Sequence, residues 1–494
     1  MKKQILKPVK DNFVSAVWML GVATMLGACG GGGGGGTVVN GGGNGGGDSI
    51  AQSATLANLC ANPRANTGDK QGSLAQEKSY LRSFVDETYL WYGDVPTNLV
   101  AANYPTPQTY FDVLKTPLKT ASGNLVDQFH WSQTTASWEA AASGIAEDYG
   151  IQWAAKAGSP PRNWVVIDVA RGSPAALAGV KRGDKITSVD SVDFVYGSDV
   201  VTLNEGLFPT ILVPHKMGFN GHAEISMTPA TYDVVSVQNV KIISTAKGNV
   251  GYFTFDTHIA KSEGELIAAI NQLKAANLTD LVIDMRYNGG GLLYIASELA
   301  YMISNPLRTA GKTFEKLIYN DKLSSKNVVY PFESLSDTNS ALPHLDLSHV
   351  TILVTGGTAS ASESVINSLR GVDVKVDLIG ETTRGKPYGF VPQNNCGYTY
   401  FAIQFKGFNQ KGFGDYADGF PPTCEAADDL SHERGDTAET MLSSALSYRQ
   451  TGVCPANVSA VPNAQRMFGA ARQGFELVRP ATREMRILTK RPGL

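Results

Sequence analysis

Apolar positions change their spacing twice along this chain. Over residues 53–141 they fall near helical intervals. Tyr80, Leu81, Phe84, Tyr89 and Leu90 form an aromatic and aliphatic stripe, which predicts a helical region with that stripe as core. Over residues 145–243 the pattern shortens to strands and turns. Residues 163–169 (NWVVIDV) predict a strand. Ser173 and Pro174 suit the cap and first position of a short helix. A glycine-marked turn follows at 179–184 and a further strand at 185–189. Over residues 244–452, strands predicted at 250–255, 281–285, 350–355 and 374–379 alternate with helical stretches such as 262–275. That alternation predicts an α/β domain with a mostly parallel sheet.

The two ends read differently. Lys2, Lys3, Lys7 and Lys10 precede an apolar stretch at 13–26, the arrangement of a signal peptide over residues 1–28. The stretch ends in Leu26-Gly27-Ala28-Cys29, which resembles the lipobox of bacterial lipoproteins. The resemblance implies cleavage before Cys29 and a lipid on its sulfur; ordinary secretion after Ala28 is the alternative. Residues 29–52, with an unbroken glycine run from 30 to 36, predict a flexible tether. The chain is therefore expected in the bacterial cell envelope, lipid-anchored, with the outer membrane favoured and a periplasmic or surface face left open. Residues 453–494 form a tail whose last part carries Arg479, Arg483, Arg486, Lys490 and Arg491. It reads as a solvated tail, against a membrane or partner contact.

Composition narrows the classes. The formal net charge is −3, which argues against a nucleic-acid partner. Five cysteines leave four once Cys29 is set aside, and four allow three connectivities. Cys396–Cys424 as a loop staple and Cys60–Cys454 as a clasp between chain ends are the expected pairs. No CxxC spacing points to a metal site.

Three glycine-marked loops follow predicted strands, where α/β sheets gather their chemistry. Residues 284–291 (DMRYNGGG) permit close backbone approach and free N–H groups, as an oxyanion hole needs; a plain tight turn is the other reading. Residues 355–364 (TGGTASASES) end a strand and open a helix. A serine there sits where helix N–H groups favour negative charge, although serine is also a common cap. Residues 380–387 (GETTRGKP) nearly spell a phosphate-binding loop. Pro387 stands where that loop needs a hydroxyl, so Lys386 reads better as a buried, neutral base. Of the seven histidines, His258 alone follows a strand, and it reads as a polar loop residue before a catalytic one.

The stretch V…GSPAALAGVKRGDKITSVD resembles a PDZ domain of the bacterial protease type, with Tyr149, Gly150 and Ile151 as the peptide-carboxylate loop. Together, TASASE, IGETTRGK and DMRYNGGG resemble the carboxyl-terminal processing (tail-specific) proteases over roughly residues 145–450. The resemblance implies an α/β protease core with a mostly parallel sheet and a small β-rich PDZ-like domain; the N-terminal helical region, read from its periodicity, lies outside it. It implies Ser360 as nucleophile, not Ser362 or Ser364, with Lys386 as general base. Oxyanion donors would be the N–H groups of Gly290 and Ala361, and no metal or cofactor is required. The implied substrates are proteins or peptides with free C-termini. The family often places glutamine four residues beyond the lysine. Here that residue is Phe390, and Gln393 is the nearest substitute. An inactive lipoprotein scaffold that binds protein tails is the competing reading, and a transport-type ligand binder is a third.

Overall fold

The computed structural model describes residues 51–456, 476–478 and 485–487. The expected signal peptide, Cys29 and nearly all of the expected tether lie outside the described residues.

Helix α1 (Leu74–Thr88) begins at Ser73, whose hydroxyl accepts the Gln76 N–H at 3.3 Å. It buries Tyr80, Leu81, Phe84 and Val85. One helix cannot cover such a face alone, so it packs on the α/β core, and both share one hydrophobic cluster. A strand of the same region, β1 (Trp131–Thr134), ties it down further. Trp131 stacks on Phe401 with ring centroids 4.0 Å apart. The N-terminal region is thus helices and strands moulded onto the core.

The β-rich domain contains β2 (Ile151–Ala157), β3 (Asn163–Val169), a one-turn helix α2 (Pro174–Leu177), β4 (Ile186–Val189), helix α3 (Val200–Leu207) and β5 (His215–Phe219). Trp153, Val166, Ile186, Phe194, Leu203 and Met217 fill its separate core. The boundary expected at 243 shifts. Strand β6 (Val237–Thr245) pairs antiparallel with β7 (Gly248–Phe255) and belongs to the α/β sheet.

From β7 the chain runs through helix α4 (Ser262–Lys274) to β8 (Asp280–Asp284), β9 (Gly290–Leu292), helix α5 (Leu293–Ile303) and β10 (Thr313–Tyr319). It continues through β11 (His349–Val354), helix α6 (Ala361–Gly371), β12 (Lys375–Gly380), β13 (Tyr388–Phe390), β14 (Gln393–Asn395), β15 (Tyr398–Phe401) and β16 (Ile403–Phe408). It ends with β17 (Cys424–Glu425), helix α7 (Thr440–Thr451), β18 (Glu476–Val478) and β19 (Met485–Ile487). The first sheet has the order β6-β7-β8-β11-β12-β17, and every neighbouring pair after β6-β7 is parallel. Strand β8 is buried throughout, as is β11 after His349, which accounts for their continuous apolar runs. A second sheet has the order β9-β19-β13-β16-β10 with Val328–Pro331 at its edge. Strands β14, β15 and β1 form a third.

The disulfides correct the expected pairing. They are Cys60–Cys396 and Cys424–Cys454, with Cα atoms 5.4 and 5.5 Å apart. The N-terminal region packs on the β14–β15 hairpin, and Asn58 N–H donates to Asn395 Oδ1 at 2.8 Å, which brings Cys60 to Cys396. Cys424 lies on β17, and helix α7 folds back over the same sheet edge to deliver Cys454.

Candidate active site

The three loops found in the sequence leave the ends of β8, β11 and β12, and hydrogen bonds lash them together. Thr358 Oγ1 donates to Met285 O at 2.8 Å, and Ala359 N–H to Asn288 O at 3.0 Å. Arg384 N–H donates to Thr358 O at 2.9 Å. The serine loop is thereby fixed to the glycine loop on one side and to the lysine loop on the other.

Three serines share this loop, and their hydroxyls have different fates. Ser362 Oγ donates to Asn288 O at 3.0 Å, and Ser364 Oγ to Ser360 O at 3.2 Å. Ser360 Oγ is buried and has no hydrogen-bond partner among the described residues. Its backbone has φ +62° and ψ −116°, at the junction where α6 begins. A non-glycine residue held there costs on the order of 1–3 kcal/mol, a strain that persists only where the surroundings enforce it.

Glu363 provides much of that enforcement. Fully buried, its Oε2 accepts the N–H groups of Ser360 and Lys386, each at 2.8 Å. Its Oε1 accepts Gly385 N–H at 2.7 Å and Thr383 Oγ1 at 2.6 Å. Burial pushes its carboxyl above the usual range, against hydrogen bonds that pull it down. One carboxylate thus joins the backbones of Ser360 and Lys386. Its one signal in the sequence is the spacing of a capping box, serine followed three residues later by glutamate.

Lys386 is fully buried. Its Nζ lies 4.0 Å from the ring centroid of Phe390 and 4.7 Å from that of Phe129. Phe390 therefore gives the lysine an aromatic face at the position of the expected glutamine. Gln393 points elsewhere: its amide donates to Asn394 O at 3.4 Å and meets Tyr80.

The glycine loop departs from expectation at Gly290. Its N–H, expected at the oxyanion, donates to Asn288 Oδ1 at 2.9 Å, because Asn288 folds back over its own loop. Gly290 O and Leu292 N–H turn to His258 at 3.0 and 2.8 Å. Gly291 lies between them, so its N–H and carbonyl face the opposite side. Ala361 is the first residue of α6, where N–H groups lack intrahelical partners. His258 is fully buried, and burial pushes its ring down to about 3. Its Nδ1 meets Asn288 Oδ1 at 3.1 Å, so a neutral ring braces the glycine loop.

Tyr149 and Gly150 lead into Ile151, the first residue of β2, beside a cavity of about 200 Å³ that Tyr149, Trp153, Leu207 and Phe208 help to line. Gly150 has φ +78°, and a Cβ there would lie 2.2 Å from Ser173 Cβ, so only glycine fits. Its N–H is engaged by Asp148 Oδ1 at 2.6 Å. A buried ionic network joins this domain to the glycine loop. Arg182 reaches Tyr287 Oη at 2.6 Å and Asp428 at 2.5 Å. Arg286 binds Asp284 at 2.8 Å, Asp428 at 2.7 Å and Glu439 at 2.8 Å. Arg434 spans Asp168 at 3.0 Å and Asp256 at 2.6 Å.

Residues 249–394 match the family model described as Peptidase family S41, and residues 165–201 that of the PDZ domain. The α/β part is thus similar to S41 peptidases and the β-rich part to PDZ domains. The chain is similar to the carboxy-terminal processing protease CtpA of Bacillus subtilis, with 29% identity over 228 residues. That match covers 45% of this chain and 44% of that protein. It is 28% identical over 229 residues to the carboxyl-terminal-processing protease of a Picosynechococcus species, covering 44% of this chain and 49% of that protein. The chain thus spans about half the length of the curated relatives it matches. In fold it is similar to a crystal structure of a putative S41 protease from Bacteroides fragilis. The TM-score is 0.61 at 24% identity, covering 76% of this chain and 98% of that one. The S41 match covers all three loops, from Asp284 to Lys386, and the PDZ match begins within β3 and takes in α2.

Proposed function

We propose that this chain is a serine endopeptidase in which Ser360 attacks the peptide carbonyl and Lys386 takes its proton. The observation that carries the reading is the contrast among three serines. Two hydroxyls serve the backbone, while that of Ser360 stands unpartnered among the described residues at a strained turn joined through Glu363 to Lys386. Burial disfavours a charged amine, the direction a lysine base requires. The Ala361 N–H at the start of α6 and the outward-facing Gly291 N–H are the oxyanion donors, each worth roughly 3–4 kcal/mol of barrier. Protonated Lys386 then returns its proton to the leaving amine, and water releases the acyl group from Ser360.

Substrates are exported proteins or peptides that add as a strand to the PDZ domain at β2, with a free C-terminus near residues 149–151. For a terminal carboxylate to enter, Asp148 must release the Gly150 N–H. The envelope location rests on the sequence of residues 1–52. Cys29→Ser is expected to move the chain from the membrane to the soluble fraction, and an unchanged distribution would refute the lipid anchor.

The test is cleavage of an unfolded protein carrying either a free or an amidated C-terminus. The parent chain cuts it and prefers the free form. Ser360→Ala and Lys386→Ala each lose at least about a thousandfold in kcat/KM. Equal rates in all three chains would reject the dyad. Equal rates on both substrates would reject C-terminal capture.

A further inference from the structure

We infer that strands β18 and β19 are an intramolecular peptide ligand of this chain's own two peptide slots, and that they hold the peptidase closed to substrate. The inference rests on the endopeptidase reading for its consequence, not for the binding itself.

Both strands come from the C-terminal tail, and each lies where a substrate strand would lie. Strand β18 adds antiparallel to β2, with Glu476 opposite Ala155, Leu477 opposite Ala154 and Val478 opposite Trp153. It therefore advances along β2 toward the 149–151 loop, the manner of a peptide added to a sheet edge. Val478 lines the cavity beside Tyr149, Trp153 and Leu207. Leu477 packs with Ala154, Val165, Ile167 and Tyr287. Val478 is not the last residue of the sequence, so this strand itself brings no terminal carboxylate to the loop. That agrees with Asp148, whose own carboxylate already occupies the Gly150 N–H.

Strand β19 then enters the peptidase. It pairs parallel with β9, placing Met485, Arg486 and Ile487 opposite Gly290, Gly291 and Leu292. On its other side Ile487 pairs with Phe390 of β13, the strand that begins two residues after Lys386. The tail is thus an interior strand, and among the described residues β9 joins the rest of its sheet through it. Gly291, whose neighbours bond to His258, turns its N–H and carbonyl to this strand. The backbone group proposed for the oxyanion is therefore covered by the chain's own tail. A substrate strand cannot reach β9 while β19 lies there.

The test uses the full chain and a full-length variant carrying Leu477→Pro and Ile487→Pro, because proline cannot donate to a ladder and disrupts both strands. Both are made first with Ser360→Ala, and a fluorescent peptide copying residues 475–488 is titrated into each. The proline variant is expected to bind the peptide at least about tenfold more tightly, its own tail having left the slots. Equal affinity, or no binding by either, overturns the inference. With Ser360 restored, the proline variant is expected to cleave an unfolded protein at least about fivefold faster, and the peptide to suppress that gain. A binding difference with no cleavage by either chain would leave the ligand in place and reject the endopeptidase. Activity of the parent that rises on dilution would overturn the intramolecular form. If the proline variant loses its cooperative melt, a variant with Gly-Ser in place of 476–478 and 485–487 gives the same readouts.

Discussion

Ser360 is held at φ +62° by its neighbours rather than by its own preference. Glycine adopts that region freely, so Ser360→Gly relieves strain while deleting the hydroxyl. The expected result is a melting temperature above that of Ser360→Ala by the equivalent of about 1 kcal/mol, with cleavage abolished in both. A glycine variant that melts below the alanine variant would mean that the turn is not strained. Ser360 and Lys386 were legible in the sequence because each sits in a loop with its own glycine spacing. The occupied Gly290 N–H was not, because Asn288 folds back on its own loop and no spacing announces that. Glu363 was visible as a capping residue but not as the group that joins two loops.

At the scale of elements, His349 joins three strands of the first sheet. It stands on β11 and bonds Asp280 of β8 at 3.1 Å and Asp377 of β12 at 2.8 Å. Burial alone lowers its ring, but the two carboxylates outweigh burial and raise it to about 9. The folded form therefore holds a proton that the unfolded chain releases near its ordinary value of about 6.5. This contribution is complete below that value and disappears as pH rises through about 9. The melting-temperature difference between the parent and His349→Gln should therefore be larger at pH 6 than at pH 10. A difference independent of pH would contradict the pairing. The strands of this sheet were legible from their apolar runs. The disulfides were not, since pairing depends on which distant segments pack together. The N-terminal region read as helical because a three-strand sheet completed by β14 and β15 leaves no local pattern at β1.

Across the whole molecule, the β-rich domain and the α/β domain share charged contacts beside a small apolar cluster of Ala154, Val165, Ile167 and Tyr287. Arg434 bridges Asp168 of β3 and Asp256 beyond β7. Burial pushes the Asp168 carboxyl up to about 6, with Arg434 pulling against it. Removing the guanidinium leaves two partly buried carboxylates without their shared cation. Arg434→Gln should cost on the order of 3–5 kcal/mol and separate the melting of the PDZ domain from that of the peptidase. A single transition at the parent temperature would show that the domains are not coupled there. This junction, like the two tail strands, joins residues about a hundred or more positions apart, beyond the reach of local patterning.

Ser360, and not a neighbouring serine, is expected to become acylated during turnover. The most direct measurement is peptide mapping by mass spectrometry after an unfolded substrate is mixed with the full chain and quenched in acid. An acyl adduct is predicted on Ser360, retained in Ser362→Ala and absent in Ser360→Ala. An adduct on Ser362 or Ser364, or one that survives Ser360→Ala, would contradict it.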